Sequence, residues 1–130
     1  MKIDAVGVSS SNMQKTVDFY KLLGFQFPEF KADEKHLEPI TPDGVVRLMV
    51  DSKSMIKNIL GTDPKPGNHS SFAIKFDSPS EVDRVAQQVK NAGFTVITEP
   101  WDAVWGQRYA IVQDPDGYKV DLFAALQQQV

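Results

Sequence analysis

The chain of 130 residues is long enough to bury one substantial core, and 42% apolar with 24% charged residues is ordinary for a globular domain. A net charge of -3 without a basic run argues against nucleic acid as a partner, and no apolar stretch approaches the roughly 20 residues of a membrane-spanning helix. The absence of cysteine excludes disulfides and thiol catalysis, and together with the lack of a signal-peptide pattern it predicts a cytoplasmic protein.

The first half of the chain is predicted to begin with a strand and a helix. Met1–Val8 alternates weakly and predicts the strand, and Ser11 or Asn12 is placed to cap a helix over about Met13–Leu23. Gly24 is expected to end this helix in a left-handed turn. Extended segments are expected at Phe25–Phe27, His36–Ile40 and Val45–Asp51, the last of them after a Pro-Asp-Gly turn. A short helix is expected at Ser54–Leu60.

The second half is predicted to run strand, helix, short strand and hairpin. Residues 61–68 are dense in glycine and proline and are expected to link a module over residues 1–60 to one over residues 69–126. The remaining predictions are a strand over 71–76, a helix from Ser78 to Gly93 with a stripe at Val82, Val85, Ala86 and Val89, a strand at Thr95–Ile97, a loop over 99–106, a hairpin over 107–123, and a tail from Ala124 that frays at Gln127–Gln129.

The two halves carry the same landmarks in the same order. The turn Thr41-Pro42-Asp43-Gly44 is echoed by Asp114-Pro115-Asp116-Gly117, and each is followed by an apolar strand. Upstream, Leu22-Leu23-Gly24-Phe25 corresponds to Asn91-Ala92-Gly93-Phe94. The chain is therefore predicted to use one motif twice.

These landmarks resemble a known superfamily. Asp-Phe-Tyr-Lys-Leu-Leu-Gly-Phe ends the first helix, and Glu-Pro, Trp-Gly and Asp-Pro-Asp-Gly-Tyr-Lys-Val-Asp-Leu-Phe close the chain. With the doubled module, they are similar to the vicinal oxygen chelate superfamily of glyoxalase I, bleomycin-resistance proteins, fosfomycin-resistance enzymes and extradiol dioxygenases. The resemblance covers Lys2–Ala125. It implies an α+β fold of paired βαβββ modules that form an open, curled mixed sheet around a ligand cleft.

The resemblance also implies where the enzymes of the superfamily hold a divalent metal. The four positions fall on Ala5, Leu48, Ser71 and Asp121, and only the last is a strong ligand, because alanine and leucine have no donor atom. A shift of two residues in the fifth strand would bring His69 to the site and still leave two ligands. We therefore expect no metal and no cofactor.

Asp121 is the strongest candidate for chemistry in the chain. Strand alternation places Lys119, Asp121 and Phe123 on one face of the last strand. A carboxylate in an apolar cleft would recognise a ligand cation or act as a general base. The alternative interpretation is a solvated carboxylate, or one paired with Lys75.

The segment before the hairpin supplies further candidates. Trp101 and Trp105 are either a lid over the core or ligand contacts, and aromatic residues that line the groove in bleomycin-resistance proteins favour Trp105. Arg108 would meet an anionic group or form a surface salt bridge. The predicted catalytic residue is Asp121, and the predicted ligand-binding residues are Leu48, Ser71, Lys75, Trp105, Arg108, Asp121 and Phe123.

These features favour a small-molecule-binding protein that sequesters a drug or metabolite without a metal site. One alternative is a lyase or isomerase of the lactoylglutathione lyase type with Asp121 as base, metal-dependent only if the ligands are misassigned. Another is an interaction module without a small ligand. The resemblance also implies a homodimer, since members of the superfamily often pair.

Overall fold

The structure, a computed structural model, describes residues 1–126. The chain divides into two compact units, Met1–Pro66 and a second unit that begins at Gly67. Each unit combines an open, mixed sheet with at least one helix, which confirms the predicted α+β class. The predicted bounds of the modules and linker stay a prediction. Within the described residues, every helix is too short or too polar to cross a membrane.

The first unit holds a three-stranded sheet and two helices. Strand β1 (Ala5–Ser10) lies parallel to β3 (Arg47–Ser52), and β2 (His36–Leu37) lies antiparallel to β3 on its other side. Asn12 caps the first helix by accepting a hydrogen bond from the Lys15 N–H at 3.1 Å, which confirms one of the two predicted caps. The two helices are α1 (Met13–Leu22) and α2 (Lys53–Leu60).

Two strand predictions in this unit were wrong. Within the described part of the chain, Phe25–Phe27 belongs to no sheet, and a hydrogen bond from the Ile40 N–H to the Gln26 carbonyl, at 2.8 Å, ties it to the chain beyond β2. The predicted strand His36–Ile40 is only two residues long, because Pro39 has no N–H to continue the ladder. These residues connect elements without extending the sheet.

The core of the first unit lies between α1 and β3. The helix buries a stripe that includes Thr16, Val17 and Tyr20, all 0% exposed, as its periodicity predicts. Leu48 and Val50 form the matching buried face of β3, at 2% and 0% exposed. Leu48 is therefore a core residue.

The part of the second unit that the structure describes, residues 67–126, holds a four-stranded sheet and one helix. Its strands are β4 (Ser70–Lys75), β5 (Thr95–Ala103), β6 (Gln107–Gln113) and β7 (Lys119–Ala125). The strand order is β4-β7-β6-β5, with β4 parallel to β7 and the other pairs antiparallel. The predicted hairpin is confirmed: the Asp114 carboxylate accepts hydrogen bonds from the Asp116 and Tyr118 N–H groups, at 2.9 and 3.0 Å, inside its turn. The helix is α3 (Pro79–Asn91).

Strand β5 is much longer than the predicted Thr95–Ile97. It continues to Ala103, so Trp101 lies in a strand and not in the predicted loop. Two register shifts interrupt its pairing with β6, and Pro100 is tolerated because β5 is the edge strand. Strand β7 also runs on through Ala124 and Ala125, where a tail was predicted. The predicted fraying of Gln127–Gln129 lies outside the described residues.

Helix α3 covers one face of this sheet. Its predicted stripe of valines and Ala86 is buried, at 2% exposed or less. Beneath it lie side chains of β6 and β7 that are 0% exposed, namely Ala110, Val112, Val120, Leu122 and Ala124. Because side chains alternate along a strand, the residues between these belong to the face opposite α3.

Gly93 provides a direct test of how α3 ends. Its φ is +86°, in the left-handed region where a Cβ is strained. We expect Gly93→Ala to lower the free energy of unfolding by about 1 kcal/mol. Gly67→Ala is the matched control, since Gly67 has open space around it and no positive φ, and it should cost nothing measurable. If urea denaturation showed the same loss of stability for both substitutions, Gly93 would not be the residue whose left-handed conformation ends α3.

Candidate functional site

The face of the second sheet opposite α3 carries the predicted carboxylate. Asp121 lies at the centre of β7 and is half-buried. The hairpin register places Tyr109 opposite Phe123, and Ile111 opposite Asp121. We call this surface the Asp121 face, and its residues on β6 and β7 are Tyr109, Ile111, Gln113, Lys119, Asp121 and Phe123.

Two hydroxyl groups hold the Asp121 carboxylate. The Ser70 hydroxyl donates to Asp121 Oδ1 at 2.5 Å, and the Tyr109 phenol is hydrogen-bonded to the same side chain. Tyr109 reaches Asp121 diagonally across the hairpin, a distance that an aromatic side chain can span. Ser70 reaches it because a bulge between Ser70 and Phe72 shifts the register of β4.

The environment of Tyr109 fixes its protonation. Burial disfavours the phenolate, and the neighbouring Asp121 carboxylate disfavours it further, so the pKa of Tyr109 is raised to about 12. The phenol is therefore protonated at neutral pH and donates to Asp121. A carboxylate has about four lone-pair sites, so two hydroxyl donors leave room for a third donor from a ligand.

This arrangement predicts that the stability of the fold depends on pH in the alkaline range. Because folding raises the pKa of Tyr109 from 10.0 to about 12, the stability it contributes is present below pH 10 and is lost as the pH rises through 12. In Asp121→Asn we expect this pKa to fall and to stay above 10.0, since burial is the larger cause. Carbon-13 NMR of the tyrosine rings measures it. An unchanged pKa in the variant would show that the two groups do not interact.

Two tryptophans extend the site away from the carboxylate. Trp105 packs edge-to-face with Trp101 and with Tyr109, at centroid distances of 5.5 and 5.4 Å. Its indole N–H donates to Gln107 Oε1 at 2.9 Å, which fixes the ring. Trp101 and Trp105 are still 40% and 55% exposed. A flat aromatic surface therefore continues from Tyr109 into accessible space.

The structure brings some predicted residues to this face and leaves others at its margin. Phe123 lies between Lys75 and Tyr109 in one row across the sheet. Lys75 is exposed, and within residues 1–126 it forms no ion pair with Asp121. Ser71, predicted to lie beside the carboxylate, is the extra residue of the bulge and is exposed, and Ser70 takes its place.

Leu48 and Arg108 do not belong to the Asp121 face. Leu48 is buried in the first unit, on the face of β3 that packs against α1. Arg108 pairs with Ala124 on the α3 side of the sheet, and its guanidinium donates to Asp83 at 2.9 Å and to Asp102 at 3.1 Å. The hydrogen bond to Asp83 is the main cause of the raised pKa of Arg108. Arg108 thus forms the surface salt bridge that was the alternative prediction.

Sequence reasoning missed Ser70 and Tyr109. Tyr109 was within reach of the sequence, because the Asp-Pro-Asp-Gly turn sets the pairing of the hairpin and places it opposite Phe123. Ser70 carried no such signal, since its position depends on a bulge between strands that are distant in the chain.

The donor set of this chain does not fit a resident divalent ion. In the first unit, the two positions that the resemblance assigns to metal ligands are Ala5 and Leu48, which have no side-chain donor. Among residues 67–126, Asp121 is joined only by a serine hydroxyl and a protonated phenol. Among residues 1–126, no cluster of three or more histidine, aspartate or glutamate side chains could hold a metal.

Solved structures with the same fold are numerous and distant in sequence. A hypothetical protein from S. aureus superposes with a TM-score of 0.79 at 21% identity, covering 96% of this chain and 95% of its own. A glyoxalase-related enzyme from Fulvimarina pelagi gives 0.80 at 14% identity, covering 95% and 88%. A glyoxalase/bleomycin resistance protein/dioxygenase family enzyme from Burkholderia phytofirmans PsJN gives 0.77 at 16% identity, covering 97% and 100%. At such identities the likeness shows the fold alone.

Sequence relatives add a short match and a family model. A stretch of 39 residues, 30% of this chain, is 46% identical to an uncharacterized protein of Mycobacterium bovis, of which it spans 26%. The same stretch spans 23% of an uncharacterized protein of Mycobacterium tuberculosis, so the chain covers about a quarter of these relatives. The family model matches residues 2–122. The chain therefore belongs to the Glyoxalase/Bleomycin resistance protein/Dioxygenase superfamily.

Proposed function

We propose that this chain binds a small organic molecule on the Asp121 face, without a resident metal ion. The observation that carries the proposal is one carboxylate, held by Ser70 and Tyr109, at the end of an aromatic row. Ligand sites combine apolar and aromatic walls with a few fixed polar groups. The Asp121 face has both parts on neighbouring strands of a rigid sheet.

The chemistry of the face favours a flat ligand that carries a cationic or N–H donor group. The donor would occupy the remaining lone pairs of Asp121, and the ring would pack on Trp105 and Tyr109. An ammonium beside these rings also gains a cation–π interaction, worth about 0.5–2 kcal/mol. Drug or metabolite sequestration is the corresponding role of the protein.

A pair of matched probes tests the proposal. Phenethylamine and hydrocinnamate share a phenyl ring and a short chain and differ in the sign of their charge. In an NMR titration with a chelator present, phenethylamine should shift the indole N–H signals of Trp101 and Trp105, and hydrocinnamate should bind more weakly. Indole signals that stay fixed while either probe binds elsewhere, or tighter binding of hydrocinnamate, would contradict the proposal.

A lyase or isomerase that uses Asp121 as base is the competing prediction. Two hydroxyl groups already hydrogen-bond to this carboxylate, which reduces its access to a substrate proton. Turnover of a hemithioacetal by the wild type, with or without added zinc, nickel or manganese, and its loss in Asp121→Asn would favour the enzyme.

The predicted homodimer is a separate proposal, and sedimentation velocity measures the oligomeric state.

A further inference from the structure

A chain of charged side chains crosses the sheet of the first unit. The two ring nitrogens of His36 each contact a carboxylate: Nδ1 lies 2.5 Å from Asp51 Oδ1, and Nε2 lies 2.7 Å from Glu38 Oε2. Arg47 donates to both oxygens of Glu38, at 2.6 and 2.7 Å, and to Asp4 at 2.9 Å. This cluster, called the His36 cluster below, joins β2 to β3 and to the segment before β1.

Both contacts of the ring require a donor, and only the imidazolium has two N–H groups. In the neutral ring one nitrogen carries a lone pair in place of a hydrogen, so one carboxylate loses its donor and faces that lone pair at a very short distance. The Asp51 side chain is only 13% exposed, so water replaces the lost contact poorly. The cluster is therefore complete only while His36 is charged.

The neighbouring charges agree with this reasoning. The pKa of His36 is raised, first by the hydrogen bond to Asp51 and then by the one to Glu38. The pKa of Glu38 is lowered, first by His36 and then by Arg47. Lys35 before the histidine and Lys53 after β3 are exposed cations, whereas the two carboxylates are in direct contact with the ring.

The His36 cluster adjoins the wall of a cavity in the first unit. The cavity measures about 570 Å³, and its lining includes residues 32–35, Ser10–Gln14 and Ser52–Ser54. Residues 32–35 immediately precede His36, and the Ser52 N–H donates to the Lys35 carbonyl at 2.8 Å. The backbone bond that attaches this wall to the end of β3 thus lies next to the contact between His36 and Asp51.

We propose that the His36 cluster is a pH-sensitive latch that holds the cavity wall at residues 32–35 against the end of β3 and releases it when the ring loses its proton. Because folding raises the pKa of His36 above its ordinary value of 6.5, the latch is closed at lower pH and opens as the pH rises through the raised pKa. Release widens access to the cavity while the core between α1 and β3 stays intact.

Amide hydrogen exchange tests the latch at one backbone bond. After correction for intrinsic exchange rates, protection of the Ser52 amide should fall at least about threefold between about pH 5.5 and about pH 8.5, which bracket imidazole ionisation. The amide of Val120, in the second unit, serves as the reference and should keep its protection. The His36 ring signals should titrate over the same pH range as the loss of protection at Ser52.

Three variants decide between a latch and general loosening. His36→Gln, which cannot ionise, and Asp51→Asn, which lacks the carboxylate, should lower Ser52 protection at the acidic pH and remove its pH dependence. His69→Gln replaces the other histidine of the chain and should leave the wild-type behaviour unchanged. The proposal is overturned if protection at Ser52 is independent of pH in the wild type, if it falls equally at Val120, or if His36→Gln retains the pH dependence.

Discussion

Leu48→Ala is expected to lower the free energy of unfolding by about 2–5 kcal/mol, the usual cost of truncating a buried leucine. Leu48 is 2% exposed and packs in the core beneath α1, so the variant leaves a cavity. Binding of phenethylamine to the folded variant should not change, since Leu48 lies outside the Asp121 face. Urea denaturation measures the stability. An NMR titration, at a urea concentration low enough that the variant stays folded, measures the binding.

Leu60→Ala is the matched control for this prediction. It makes the same chemical change at a side chain that is 60% exposed, and it should alter stability by no more than about 0.5 kcal/mol. If Leu48→Ala instead weakened probe binding and cost little stability, Leu48 would be a ligand contact after all, as the sequence predicted.

Asp121→Asn is expected to weaken phenethylamine binding by about 10- to 100-fold. The amide has nearly the shape of the carboxylate but lacks its charge, and a hydrogen bond to a charged group contributes about 1.5–3 kcal/mol. Because Ser70 and Tyr109 can still donate to the amide oxygen, the sheet should fold as in the wild type. The same NMR titration gives the two dissociation constants.

Asp43→Asn controls for the change in net charge. Asp43 is exposed in the turn of the first unit, and its replacement should leave binding within about twofold of the wild type, as expected for a solvent-exposed charge that salt screens. Equal weakening by both variants would mean that Asp121 acts only through the overall field and not as a contact.

Local signals explain why much of the fold was predictable. The helix stripes depend on 3.6-residue spacing, and the hairpin turn depends on Asp114 and Gly117, so both are encoded in contiguous residues. The predicted strand ended at Ile97 because Glu99 and Pro100 are poor strand residues, yet pairing with β6 extends the edge strand β5 past them. Long-range pairing thus outweighs local preference at this point.

The site was harder to predict because it depends on strand register. The repeat was aligned on the two Pro-Asp-Gly turns, but β3 begins three residues after Gly44, whereas β7 begins two residues after Gly117. A one-residue difference turns every side chain to the other face, so Leu48, which the alignment on the turns pairs with Asp121, lies on the buried face of β3. The bulge at Ser70 is a second shift of this kind.

A metal titration tests the central proposal most directly, namely that this chain keeps the fold of its superfamily while its side chains do not hold a divalent ion. Zinc, nickel and manganese are added in turn at stoichiometric amounts to protein treated with a chelator, and thermal unfolding is recorded. We expect the unfolding midpoint to stay where it is in the chelated protein. Stabilisation by about 3 kcal/mol, which corresponds to a metal present at hundreds of times its Kd, would contradict the claim.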